Sequence, residues 1–175
     1  WVHEHNVVMG TLAHDYAFAQ AARPEPLLTE AERATFEGYR RKSGKVGTRN
    51  YIAVIASVNC SATVVRAIAN YFSPDRLAGY PNIDGVIALP HPLGCGMGAS
   101  GEGMDILRRT LVGYARHPNF AGVLFVGLGC EQNQIAPIID LVGSREPGML
   151  QKLVMQAEGG TTAAIKKGIA QVAAM

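Results

Sequence analysis

From Tyr51 onward the chain switches regularly between two hydrophobic periods. Tyr51–Val58 (YIAVIASV) is a continuous apolar, β-branched run, the pattern of a strand buried on both faces. Ser61–Phe72 then places Val64, Ile68, Tyr71 and Phe72 on one side of a helix. Ile83–Leu89 reads as a second buried strand and Glu102–His117 as a second amphipathic helix. Phe120–Gly129 is a third strand, followed by a shorter helix over Asn133–Val142 that Pro137 interrupts early. Met149–Gln156 and Gly160–Met175 complete a fourth pair. Alternating strands and helices predict a mostly parallel sheet of about four strands with right-handed crossovers and helices on both faces. The expected fold class is a three-layer α/β domain, Rossmann-like or flavodoxin-like, whose ligands bind beyond the carboxyl ends of the strands.

The segments before this domain are less regular. Residues 1–10 (WVHEHNVVMG) alternate like one short strand, which cannot stand alone and reads as the tail of a preceding domain. Residues 11–43 read as a linker with short helices, one over LAHDYAFAQAA and one opened by a Thr29/Glu32 capping box in LTEAERATFEGY. RKSGKVGTRN is a glycine-rich loop or hairpin leading into the α/β domain, taken as residues 44–175. The chain starts at Trp1 rather than Met, which reads as a processed or excised piece.

Composition narrows the function classes. A length of 175 residues with 48% hydrophobic and 17% charged residues suits an ordinary folded domain. A formal charge of +2, without a basic stripe interleaved with aromatics, argues against nucleic acid as a partner. No run approaches the ~20 apolar residues that cross a bilayer, and no secretory signal pattern occurs. Three cysteines do not make a disulfide framework, so a cytoplasmic location is expected. The one basic cluster, Arg40, Arg41, Lys42, Lys45 and Arg49, is either a solvated loop or an anion site.

The cysteines carry the strongest chemical signal. Cys60, Cys95 and Cys130 each follow a predicted strand, at 35-residue intervals. That interval is close to one βα unit, so the three are expected on one rim of the sheet. Their neighbours Asn59, Gly94, Gly129, Ser61, Gly96 and Glu131 are turn residues, not core residues. Three thiolates at helix starts suit a soft metal: zinc with His91 as fourth ligand, or iron with one open position. A reactive thiol and inert packing remain as alternatives. Gly96–Gly101 (GMGASG) matches a dinucleotide fingerprint in form, but Pro90, His91 and Pro92 separate it from the strand and no acidic residue follows at ~20 positions. Its backbone N–H groups could hold a carboxylate instead. GYRRKSGKV fails as a P-loop because the glycines are misspaced and Val46 stands where Ser or Thr is needed. His3 and His5 share a strand face and form a possible ligand pair or a polar strand edge, whereas His14 and His117 read as surface residues. His91, at a strand end, is a candidate base or ligand, and Glu131, Gln132 and Asn133 are placed to orient substrate hydroxyls. Gly160 and Thr161 begin one further helix that could receive an anion.

GYRRKSGKVGTRNYIAVIASVNCSATV, YPNIDGVIALPHPLGCGM and GVLFVGLGCEQNQ together resemble the altronate and galactarate dehydratase family, the UxaA-type hydro-lyases. The resemblance covers roughly residues 38–175, and VHEHNVVMG looks like the end of the SAF domain that precedes this one in the family. The matching positions are Gly44 to Asn50, Asn59 to Ser61, Gly94 to Met97 and Gly127 to Glu131, while Pro92 departs from the pattern. The resemblance implies dehydration of a sugar acid to a 2-keto-3-deoxy acid. It implies dependence on iron, as a ferrous ion or an iron–sulfur cluster, or on another divalent metal such as manganese. On that footing Cys60, Cys95 and Cys130 are expected to hold the metal, and His91 or Glu131 to move protons. Lys45 and Arg49 are expected to grip the carboxylate. Asn50, Asn59, Ser61, Gly96, Gln132, Gly160 and Thr161 are expected to contact the substrate. The expected partners are the small sugar acid, the missing SAF and C-terminal domains, and a second copy in a homo-oligomer. The competing reading is a non-catalytic α/β module that holds an anion or a metal.

Overall fold

The computed structural model describes residues 28–175. The expectations for residues 1–27, including the SAF-like tail, the His3/His5 pair and the helix over LAHDYAFAQAA, lie outside the described residues. The compact unit of interest spans Glu37–Met175. The helix expected after Thr29 is only a single 3-10 turn, Glu30–Glu32, in which Thr29 donates its N–H and hydroxyl to the Glu32 carboxylate at 3.0 and 2.6 Å. These bonds hold the Glu32 carboxyl below its ordinary range. The turn buries none of its residues, so the cap alone does not propagate a helix.

Within Glu37–Met175 a small antiparallel hairpin, β1 (Tyr39–Arg40) and β2 (Val46–Gly47), comes first. Then follow β3 (Tyr51–Ala56), α1 (Ala62–Tyr71), a short α2 (Pro74–Leu77), β4 (Gly85–Leu89) and α3 (Glu102–Ala115). β5 (Phe120–Gly127), α4 (Ile135–Val142), β6 (Leu150–Val154) and α5 (Thr161–Ala173) complete it. Pro137 does not interrupt α4: it falls in the first turn, where backbone N–H groups have no helical acceptor anyway.

The main sheet has the order β4-β3-β5-β6 and every pair is parallel. Strand residues alternate between two cores. Ile52, Val54 and Ala56 pack with Val65 and Ile68 of α1 and Ala164 and Val172 of α5. Ala53 and Ile55 face the other way, onto Leu107 and Leu111 of α3 and Ile138 of α4. Burial on both faces explains why β3 and β5 read as unbroken apolar runs. The chain moves outward from β3 to β4, then crosses back over β3 to β5. The loops after β3 and β5 therefore diverge at the centre of the sheet, the switch point where open α/β sheets bind ligands. Among the described residues no helix is long and apolar enough to cross a membrane.

Candidate functional site

β3, β4 and β5 are neighbours, so the segments after them share one edge of the sheet. Cys60 lies in a 3-10 turn, Asn59–Ser61, directly after β3. Cys95 lies in the loop after β4 and Cys130 in the loop after β5, and all three thiols are free and exposed. The loops after β3 and β4 are tied by Asn59 N–H donating to the Leu93 carbonyl at 2.8 Å. Gly94 makes the approach possible: a Cβ there would sit 3.1 Å from both the Ser57 carbonyl and Val58 Cα, and its φ is +103°. The Cys60 thiol is pushed up by desolvation, by its side-chain contact with Cys95, and by the charges of Cys95 and Cys130. Cys60 thus lies close to Cys95, with Cys130 near enough to add to the shift.

Two residues beside the thiols face inward. Glu131 is 6% exposed. It accepts the Ser57 hydroxyl at 2.8 Å on Oε1 and the Gly129 N–H on Oε2. Its carboxylate lies over Gly127, where a Cβ would meet Oε1 at 2.2 Å. The G-L-G-C-E stretch thus has a physical logic: Gly127 clears room, Glu131 turns in to hold the loop, and Cys130 between them turns out. Asn133, fully buried, donates to the Ser57 carbonyl at 3.1 Å and accepts Arg108 Nε of α3 at 3.2 Å. Gln156, after β6, donates to Cys130 Sγ at 3.5 Å. Asn133, expected to orient substrate hydroxyls, is instead buried and holds the loops together. Ser57, Arg108 and Gln156 carry no local sequence signal, because each acts through contacts between distant strand ends.

The structure revises several expected roles. His91 Nδ1 accepts the Leu93 N–H at 3.2 Å, so Nε2 carries the proton and donates to the Ala56 carbonyl at 3.0 Å. Both nitrogens are occupied by backbone, and burial pushes the imidazole below its ordinary pKa, opposed by the bond to Ala56. As placed, His91 braces a strand end and presents no free base. Glu131 likewise has both oxygens engaged. Ser61 is buried, its hydroxyl against the Val58 and Val126 carbonyls at 2.8 Å each, so it does not face a substrate. Asn59, Gly96, Gln132 and Thr161 are exposed, and Gly160 caps α5 at the same edge with φ +118°.

Lys45, Arg49 and Asn50 are not at this edge. They precede or open β3, whereas the thiols follow the strands' far ends. Seven residues of extended chain from Asn50 to Ser57 span roughly 23 Å, so Lys45 and Arg49 do not share a pocket with the cysteines in this domain. Asn50 is a strand-opening lock: it accepts Arg41 Nη2 at 2.7 Å and donates to Asp84 and to the Asn82 carbonyl.

The donor set at the rim fits a soft metal in kind, since three exposed thiols face one region. It is not closed into a ligand shell: among the described residues, no group of three or more His, Cys, Asp or Glu side chains is arranged to hold a metal ion.

Residues 38–175 match the family model described as D-galactarate dehydratase/Altronate hydrolase, second domain. The chain belongs to this family. Altronate dehydratase of Escherichia coli is 33% identical over 120 residues, 69% of this chain and 24% of that protein. Galactarate dehydratase (L-threo-forming) of Escherichia coli is 39% identical over 136 residues, 77% of this chain and 26% of that protein. The (2R)-sulfolactate sulfo-lyase subunit beta of Chromohalobacter salexigens is 37% identical over 99 residues, 57% and 22% of the two chains. The chain therefore spans about a quarter of the length of these relatives. No solved structure gives a significant match.

Proposed function

We propose that Glu37–Met175 serves as the second domain of a hydro-lyase that dehydrates a sugar acid, altronate or galactarate, to a 2-keto-3-deoxy acid. The observation that carries the reading is the gathering of Cys60, Cys95 and Cys130 at one sheet edge in a domain of this family. The acids in the relatives' names share a carboxylate, a hydroxyl on the next carbon and a leaving group one carbon further. Losing that group after α-proton removal needs stabilisation of an enediolate and help for the departing oxygen.

Cys60, Cys95 and Cys130 are the residues that would hold iron or a similar divalent metal, with other parts of the full-length enzyme completing the shell. Such an ion supplies Lewis acidity toward a substrate oxygen. Asn59, Gln132 and Gln156 offer amide groups to sugar hydroxyls around the thiols. Gly160, its own N–H held by the Met155 carbonyl at 3.1 Å, leads into Thr161, and the first-turn backbone N–H groups of α5 from Thr161 on suit a carboxylate. Glu131 and His91 keep the loops fixed. Proton transfer falls to groups that the remaining domains bring to this edge, in a cytoplasmic enzyme whose site is complete only when assembled, with a homo-oligomer as one form of that assembly.

The test is anaerobic incubation of the full-length protein with altronate, galactarate and (2R)-sulfolactate, with and without ferrous ion, following 2-keto acid formation. Keto acid from a sugar acid, dependent on metal and lowered about 100-fold or more by Cys60→Ser, Cys95→Ser or Cys130→Ser, supports the reading. Sulfite release alone, or no turnover of either sugar acid, overturns it. A full-length protein that binds metal and turns over nothing would be a binding module.

A further inference from the structure

The edge of the sheet opposite the cysteines carries a different feature. Between the β1–β2 hairpin and the ends of α3 and α4 lies a cavity of about 180 Å³, lined by Arg41, Lys42, Lys45, Arg116 and Arg145 with a single carboxylate, Glu146. We propose that this cavity is a binding site for a small doubly charged oxyanion, such as inorganic phosphate or a short dicarboxylate.

Three of the cations are held rigidly. Arg41 Nε donates to the Pro118 carbonyl at 2.7 Å, and Arg116 Nε to the Val142 carbonyl at 3.1 Å. Arg145 donates to the carbonyls of Ala115, Phe120 and Ala121. These bonds satisfy carbonyls at the ends of α3 and α4, in the turn before β5 and in its first two residues, which explains why arginines stand there. They do not use up the guanidinium groups: each spends two or three of its five N–H donors. The remaining donors are fixed in place before any ligand arrives, so little ordering is lost on binding. Among the described residues, Lys42 and Lys45 have no such carbonyl duty.

The charge is also only partly compensated, by the field of Glu146. Among the described residues the only ion pair is Lys167–Glu158, so none of the five cations has a carboxylate within pairing distance. Burial pushes the Arg145 guanidinium down and the charge of Arg41 pushes it further, against the opposite pull of Glu146, so two like charges share one partly desolvated space with one carboxylate nearby. An oxyanion accepting from both forks removes that repulsion, and guanidinium geometry suits the paired oxygens of phosphate or carboxylate. The volume is several times the roughly 30 Å³ of one water in the liquid, room for a phosphate-sized group.

The experiment titrates this chain with potassium phosphate and, separately, with malonate at constant ionic strength, using chloride as reference and following backbone amide resonances. Saturable shifts at Arg41–Lys45, Arg116–Ala121 and Ser144–Glu146, with either anion, are expected. Phosphate alone would assign the site to phosphate compounds, and malonate alone to dicarboxylates. The Lys42→Ala/Lys45→Ala double variant, which disturbs no buried bond, should weaken binding at least several-fold, and Arg145→Lys should weaken it by loss of the fork. If Arg145→Lys does not fold, the lysine variant carries the comparison. Chloride-like, unsaturable changes, or binding indifferent to the lysine variant, overturn the proposal.

Discussion

Glu131 distinguishes a carboxylate that holds the rim from one that does chemistry. In Glu131→Ala the Gly129 N–H loses its acceptor inside the protein, while the Ser57 hydroxyl can fall back on the Val126 carbonyl, already 3.4 Å away. A hydrogen bond to a charged acceptor contributes about 1.5–3 kcal/mol, and the lost Cγ methylene adds about 0.8 kcal/mol. The expected cost is about 2–4 kcal/mol, a large share of a typical domain's stability. Glu131→Gln is different. Its oxygen can keep the Gly129 N–H, its amide can donate to Ser57 Oγ, and the serine proton then turns to Val126. Every group stays paired, so the expected cost is about 1 kcal/mol. Urea unfolding of the three proteins at neutral pH reads the difference through the midpoint at constant slope. Equal losses for Ala and Gln, or a loss under about 1 kcal/mol for Ala, would refute the bonding scheme. In the full-length enzyme Glu131→Gln should lower kcat by less than about tenfold, whereas a general base would lose roughly 10²–10⁴.

Gly127→Ala should cost about 1–3 kcal/mol through overpacking, because its methyl would collide with the Glu131 carboxylate and the Ser57 hydroxyl; a neutral result by thermal unfolding contradicts the close approach. His91 is held neutral in the fold with its pKa lowered, so the unfolded chain binds the extra proton first as pH falls. Stability should therefore be full above the ordinary histidine value of about 6.5 and decline below it. His91→Gln should flatten that decline between pH 7.5 and 5.5, and an unchanged slope in urea titrations would show the imidazole is not the cause. Ser61→Ala should cost about 1 kcal/mol and leave the full-length enzyme's KM unchanged, since both carbonyls keep backbone partners; a large rise in KM would return Ser61 to the substrate.

The layering was legible because β3 and β5 are buried on both faces and the helices between them carry one-sided apolar stripes. The cysteine rim was legible for the same reason, since regular βα spacing places strand ends together once the strands are parallel. Direction along a strand was harder to see. Lys45 and Arg49 lie close to β3 in the chain but before it, and residues before and after a buried strand end on opposite edges. Side-chain direction was harder still: Cys130 and Glu131 are adjacent, yet one faces solvent and the other is buried under Ser57. Only the long-range pairing of the β3 and β5 loops decides that, and local composition does not encode it. The helix expected after Thr29 failed on length and burial, since a capping box orders one turn but needs packing to extend it.

The proposed function requires the three thiols to form one functional centre at the carboxyl edge. Its most direct test is the alkylation rate of Cys60, Cys95 and Cys130 in the full-length protein, resolved by peptide mass spectrometry with and without a saturating sugar acid. All three should lose reactivity together when the sugar acid binds; thiols that react at the same rate with and without it, or that respond singly, would contradict a shared centre.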